Sequence, residues 1–275
     1  MSLTVKANKE SSFIPVPEGM HLARCYRVID LGTQKSEYKG ETKYAPKVMI
    51  QFEVHGENEA GHPLVTAKGE PLSISKNYTA SLSDKATLRV DLKNWRGRDF
   101  TTDELKGFEL KNVLGVWAMI SAVKSVGRDG KEYTNIGAVM PVPTNIKKAG
   151  LPQGFNQTAI FSIDNPDMAL FETFSENLKN KIKNSPAWAS AYARNILKER
   201  WKEAEKTISK SENASEDYTV LCDWNEWTEE EISQSPVWMY HYAKKLGHYL
   251  PKNLHEKMLS SSSSFAKRYI EEICQ

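Results

Sequence analysis

Apolar and polar positions alternate along the first half of the chain. "KVMIQFEVH", residues 47–55, sets Val48, Ile50, Phe52 and Val54 on one face, the period-two signature of a half-buried strand. "HLARCYRVID", residues 21–30, is rich in β-formers and predicts a strand before it; "LSISKNYT", residues 72–79, predicts a third. The period then changes. In "SLSDKATLRVDLKNWRG" Leu88, Leu92 and Trp95 fall on one helical stripe, Ser81 with Asp84 reads as a capping box, and Gly97 ends the helix. "NVLGVWAMISAVKSV", residues 112–126, is a long apolar strand bent at Gly115, Asp129-Gly130 is a hairpin turn, and "YTNIGAVMPVP" returns.

Beyond Pro143 the stretch "TNIKKAGLPQGFNQT" has linker composition, and the pattern turns helical. Leu170, Phe174, Leu178 and Ile182, each four apart, predict one helix over "LFETFSENLKNKIKN". "IKNSPAWASAYARNI" and "ISQSPVWMYHYAKKL" match at an offset of fifty residues, as I-x-x-S-P-x-W-x-x-x-Y-A. Ser185 and Ser235 are expected as N-caps and Pro186 and Pro236 as first helical residues, so the unit is a helix–break–helix used twice. Two copies are too few for a solenoid. Trp188, Tyr192, Trp238 and Tyr242 are expected in the core. Thr228 with Glu231 reads as a capping box, Ser260–Ser264 as a flexible run and "FAKRYIEEICQ" as a short terminal helix.

The fold class is therefore α+β, with residues 1–150 a five-stranded barrel domain carrying one helix and residues 151–275 a helical domain with a short internal repeat. The order β-β-β-α-β-β is that of an OB-fold; an open antiparallel sheet with one helix is the runner-up. In an OB-fold, oligonucleotides lie between the loop joining strands one and two and the loop joining strands four and five. Thr33–Pro46, the first loop, carries Lys35, Tyr38, Lys39, Lys43 and Tyr44, with Lys47 just beyond it. "SVGRDGKEY", the second, carries Arg128, Lys131 and Tyr133. Lysines neutralise phosphates, and exposed rings stack on unpaired bases, which a duplex hides. Arg24 and Tyr26 on the first strand and Lys76 and Tyr78 on the third are further candidates, core and stacking being equally open for the two tyrosines. Trp117, in a very apolar strand, reads as core, and Arg96 and Arg98 as compensation of the helix dipole.

Charge sharpens this picture. Residues 1–150 hold 22 Lys and Arg against 17 Asp and Glu, a balance of +5; residues 151–275 hold 15 against 18, a balance of −3. Cys25, Cys222 and Cys274 are odd in number and far apart, which fits a reducing cytoplasm rather than a disulfide framework. No metal site or cofactor is expected: CxxC and HExxH are absent, and nothing completes a site around His241 and His248. No run reaches the roughly 18 apolar residues of a membrane helix, and "MSLTVKANKESSF" lacks the apolar region of a secretory signal.

"FIPVPEGMHLARCYRVIDLGTQ", "KVMIQFEV", "LKGFELKNVLGVWAMISAVKS" and "LFETFSENLKNKIKNSPAW" resemble the replication-linked proteins of tailed bacteriophages described as single-stranded-DNA-binding-like, over residues 13–190. The resemblance implies an OB-fold, sequence-tolerant single-stranded DNA binding in replication or recombination, and action in the cytoplasm of an infected bacterium. It carries over no catalytic residue. Many replicative proteins of this kind end in an acidic tail, whereas "AKRYIEEICQ" is mixed in charge. The helical half is then the expected seat of contacts with replication or host proteins, or of self-association into a homo-oligomer. A protein-interaction module acting as inhibitor or adaptor of a host protein, without nucleic acid, is the alternative. An enzyme is not expected, since no Gly-rich phosphate loop, metal-carboxylate cluster or Ser/His/Asp order is present.

Overall fold

The structure is a computed structural model that describes residues 14–38, 41–127 and 130–274, at 36–38 and 41–43 the backbone alone. The fold is α+β. Strands β1 (Gly19–Tyr38), β2 (Glu41–His55), β3 (Ser73–Thr79), β4 (Trp117–Val126) and β5 (Glu132–Met140) lie in the antiparallel order β3-β2-β1-β4-β5, and a short β6 (Ala159–Phe161) pairs with β1. The hydrogen-bonded path is open, with β3 and β5 at its ends, so the sheet matches the runner-up rather than a closed five-stranded barrel. The carbonyl of Gly137 in β5 accepts from Lys76 Nζ of β3 at 3.3 Å. The β4–β5 register also shifts between Ser121 and Ala122.

The chain folds into two compact units, Met1–Ile29 with Val48–Ile160 and Asp30–Lys47 with Phe161–Gln275. The sequence places the division near residue 150; in the folded chain it falls after Ile160, and the end of the β1–β2 hairpin belongs to the second unit. The "loop" Thr33–Pro46 is itself corrected, because both strands run on through it to Tyr38 and from Glu41. Its polar composition disguised it: strand pairing satisfies the backbone whatever the side chains are.

In the first unit the inward residues of the strands, among them Val48, Ile50, Phe52, Val54, Ile120 and Val139, form one core. Helix α1 (Thr87–Arg96) closes it with the expected stripe Leu88, Leu92 and Trp95, the indole lying 5.3 Å from Phe52. The helix starts later than the Ser81–Asp84 pattern suggests. Its N-cap is Ala86 without a side-chain cap, while Ser81 bonds Ser83 and Asp84 pairs with Arg89. Gly97 ends α1 as expected, at φ 68°, donating to Asn94 O. A capping box, Thr101 with Glu104, opens α2 (Thr102–Lys106). The apolar strand begins only at Trp117, after a 3₁₀ turn (Leu110–Val113) and Gly115 at φ 78°. The linker-like stretch opens with α3 (Thr144–Ala149).

The second unit holds α4 (Met168–Glu172), α5 (Glu176–Lys183), α6 (Pro186–Tyr192), α7 (Lys202–Ile208), α8 (Glu212–Tyr218), α9 (Glu229–Ile232), α10 (Pro236–Leu246), α11 (Lys252–Leu259) and α12 (Ser264–Glu272). The single helix expected over residues 170–184 is two, because the Ser175 side chain caps α5. The repeat is a structural one. Ile182 lies in the last turn of α5 and Ile232 ends α9, and Pro186 and Pro236 begin α6 and α10. Trp188 and Trp238 are fully buried, whereas Tyr192 and Tyr242 are only half-buried. Ser185 and Ser235 occupy the N-cap positions but make no cap bond, and both hydroxyls are buried without a partner. The Thr228–Glu231 capping box is present as read. The serine run is ordered as caps, Ser260 ending α11 and Ser263 opening α12.

Close packing fixes Gly32, whose φ is +64°. A Cβ there would stand 2.1 Å from Ser185 Oγ and 2.7 Å from Ile163 Cδ1. Gly97 has nearly the same backbone, φ +68°, with open space around it. Gly97→Ala is therefore expected to lose about 1–2 kcal/mol from the left-handed backbone alone. Gly32→Ala should lose that plus about 1–3 kcal/mol of overpacking. Urea unfolding of the two variants measures the difference, and equal losses would mean that Ser185 yields.

Candidate nucleic-acid interface

The first-unit half of β1 and β2 turns Arg24 and Glu53 away from the core. Glu53 is 0% exposed, and the segment Gly154–Asn156 lies over it. Its carboxylate accepts from Arg24 Nη1 at 2.9 Å, from the Phe155 and Asn156 amides at 3.0 and 2.7 Å, and from Asn156 Nδ2 at 2.7 Å; His55 Nε2 stands 3.2 Å away. Burial alone would raise this carboxyl, but the donors from Asn156, Arg24 and His55 outweigh it and hold Glu53 below its ordinary range. Arg24 also donates to Asn156 O, and its guanidinium lies so close to Gly154 that a Cβ would stand 1.9 Å from Nη1. Arg24 is thus a fastener for residues 154–156 rather than an available phosphate contact, which corrects its expected role.

Tyr26 and Tyr78 leave the stacking set as well, because both rings are buried. Burial pushes the Tyr26 phenol up, with the Arg27 guanidinium 5.3 Å from the ring centre. Tyr78 donates to Asp91 Oδ2 at 2.9 Å, and Lys76 Nζ meets the same oxygen at 2.7 Å. Burial first, then the Asp91 charge, drives the Tyr78 phenol well above its usual value. Lys76 and Tyr78 therefore tie β3 to α1 around a buried aspartate. In the sequence, "DLKNW" shows only an acid on a helix; that it faces inward emerges from the packing.

The hairpin ends keep the remaining candidates. In the second unit Tyr44 is 52% exposed, Lys35 is exposed and Lys47 half-buried. Burial, and then the Lys47 charge, lowers the Lys181 ammonium, which marks a cationic spot where α5 meets the hairpin. Gln34 Nε2 anchors that spot, donating to Leu31 O at 2.6 Å and Lys181 O at 3.1 Å. In the first unit Tyr133 is 47% exposed and Lys131 is exposed, beside a turn closed by Gly127 N to Lys131 O at 2.8 Å. Lys39 and Arg128, and the side chains of Tyr38 and Lys43, lie outside the described residues.

Two features escaped the sequence reading. Phe155 is 59% exposed although its backbone is clamped to Glu53, and Trp117 is half-buried, edge-on to His55 at 4.9 Å. A bulky ring inside the Gly- and Pro-rich stretch "LPQGFNQ" was the available signal. Met20, Leu22, Met119, Val123 and Met140 also share one face of β1, β4 and β5 through the pairs Leu22–Met119 and Met119–Met140. Among the described residues no cluster of His, Cys, Asp or Glu suits a metal ion, and no helix is long and apolar enough to cross a membrane. No protein-family model matches the chain, and no curated protein matches it significantly.

Proposed function

We propose that the protein binds single-stranded nucleic acid with little sequence preference, at the β4–β5 hairpin end in the first unit and, as a separate contact, at the β1–β2 hairpin end in the second. The observation that carries the reading is the pair Tyr44 and Tyr133, each about half exposed and each on a hairpin that also presents an exposed lysine, Lys35 or Lys131. A ring in that state gains area by stacking on a base, and neighbouring ammonium groups neutralise phosphates. The strand order, with α1 inserted between β3 and β4, supports an OB-like architecture for the sheet. The resemblance to phage proteins favours DNA and a role in replication or recombination within the bacterial cytoplasm. The helical unit then serves protein contacts or self-association. No step of this reading needs a cofactor or a catalytic residue.

The test is fluorescence anisotropy with an oligo-dT strand. Tyr44→Ala and Tyr133→Ala should each weaken binding by roughly 1–3 kcal/mol. Affinity should fall steeply with salt, and Lys131→Ala should reduce that slope by about one. Unchanged affinity in both tyrosine variants would end the proposal.

One observation favours a second reading, a protein-interaction module. The face bearing Met20, Leu22, Met119, Val123 and Met140 is largely apolar, with Met20 and Val123 exposed and Ser121 and Asn135 opposite them. Val123→Asp distinguishes the two. Under the first reading oligonucleotide affinity is unchanged; under the second a protein partner is lost.

A further inference from the structure

At the carboxyl end of α1 lies a cavity of about 320 Å³ that takes no part in the proposed nucleic-acid contacts. Its apolar wall is Trp95, Phe108, Val113 and Val116; its polar wall is Arg96, Arg98, Glu104 and Asn112. The two arginines differ in setting. Arg96 is mostly buried, its guanidinium 4.5 Å from the centre of the Phe100 ring and 4.9 Å from that of Phe108. Arg98 is largely exposed at the rim.

Both guanidiniums converge on one carboxylate. Glu104 accepts from Arg98 Nη1 and Nη2 at 3.0 and 2.8 Å, and from Arg96 Nη2. The Arg98 bonds first, then the Thr101 amide and the arginine charges, bring Glu104 down to about 2. Two cations thus face one anion, and Arg96 Nη1 is buried with no acceptor. The wall already demonstrates the chemistry it takes, a planar carboxylate against paired guanidiniums. One positive charge and one N–H donor are left over. Helix-dipole compensation accounts for a cation at Arg96, but not for two guanidiniums with an apolar wall beside them.

We propose that this cavity binds a monocarboxylate carrying one apolar, ring-sized side chain. The acid would lie on the Arg96–Arg98 pair beside Asn112 and the side chain against Phe108, Val113 and Val116. A volume near the lower limit of ligand pockets takes one such group and little more. The chemistry fits a free apolar acid and equally the last residue of a polypeptide, and the arms of the test separate these sources.

The experiment is a titration of the full-length protein followed by ¹H–¹⁵N NMR, reading the Trp95 indole N–H, which donates to Trp117 O, and the Val113 and Val116 amides. The probes are N-acetyl-L-phenylalanine and Gly-Gly-Gly-Phe with a free carboxyl end, each beside its amide. Saturable shifts confined to the cavity are expected with the acids, and binding about ten-fold weaker with the amides, as loss of one charge-assisted contact implies. Arg98→Ala should weaken the acids similarly. Glu104→Gln, which removes the competing anion, should tighten them. Tyr44→Ala and Tyr133→Ala should change nothing here, so failure of the nucleic-acid reading leaves this inference standing. Tighter binding of the peptide assigns the site to a chain end, and equal binding to the terminal residue or free acid alone. Absence of saturable shifts, or equal binding of acid and amide, overturns the proposal. So does an unchanged affinity in Glu104→Gln once its spectrum shows an intact fold.

Discussion

Glu53→Gln is expected to lower the unfolding free energy by about 3–5 kcal/mol, the range for removing one partner of a buried ion pair. Glu53 is fully buried, and Arg24 is itself largely buried. An amide there keeps one oxygen for a set of donors that needs two, and turns its own N–H₂ toward Arg24 or toward the Phe155 and Asn156 amides. Arg24 is left charged, buried and unpaired. Adding Arg24→Met should recover much of the loss, because the uncompensated charge goes with it. Urea unfolding measures both variants, and hydrogen exchange at the Phe155 and Asn156 amides shows whether residues 154–156 lift away. A loss under 1 kcal/mol with both amides still protected would mean that apolar cover, and not Glu53, holds the segment.

The same site predicts a dependence on pH. The folded-state value of Glu53 lies below the ordinary glutamate value of 4.5. A depressed carboxylate adds stability above its unfolded value and loses it as pH falls through the folded one. The parent and Glu53→Gln should therefore differ fully at neutral pH. They should converge as pH drops below about 4.3, where the unfolded-state carboxyl takes up its proton.

Trp238→Ala is expected to cost about 3–5 kcal/mol, as for a fully buried aromatic cut back to a methyl group. Trp238 is 0% exposed in α10, with its ring 4.9 Å from Trp227 and 6.0 Å from Tyr218. Its indole N–H donates to the Ser215 carbonyl at 3.1 Å, so truncation opens a cavity and orphans a buried acceptor together. Trp238→Phe keeps most of the area and loses the donor, and should cost about 1–3 kcal/mol. Its repeat counterpart Trp188 stacks on Phe171 at 4.8 Å, so Trp188→Ala belongs in the same range. Thermal and urea melts check the series. A cost near 1 kcal/mol for Trp238→Ala would show that the helices around it close over the gap.

Legibility of the fold followed the strength of its periodicity. The strand of Val48, Ile50, Phe52 and Val54 and the stripe of Leu88, Leu92 and Trp95 were readable because one face of each is buried, and burial imposes the period. The hairpin between Thr33 and Pro46 was not, since its strand segments carry polar side chains and no apolar alternation. The candidate site divided on the same line. Tyr44 and Tyr133 are exposed, as rings amid polar turn residues suggest. Tyr26 and Tyr78 alternate with basic residues just as a stacking strand would, and their burial depends on what covers them: Tyr78 bonds Asp91, a residue thirteen positions away.

The α+β class, the helix after β3, the duplicated S-P-x-W unit and its inward tryptophans are written in the chain, because these follow from local period and backbone preference. That the sheet path is open, that Arg24 serves a buried glutamate about thirty positions along, and that Arg96 and Arg98 share Glu104 beside a cavity emerged from long-range packing. Those outcomes are set by which long-range partner satisfies a charge or a carbonyl, and no local pattern encodes that choice.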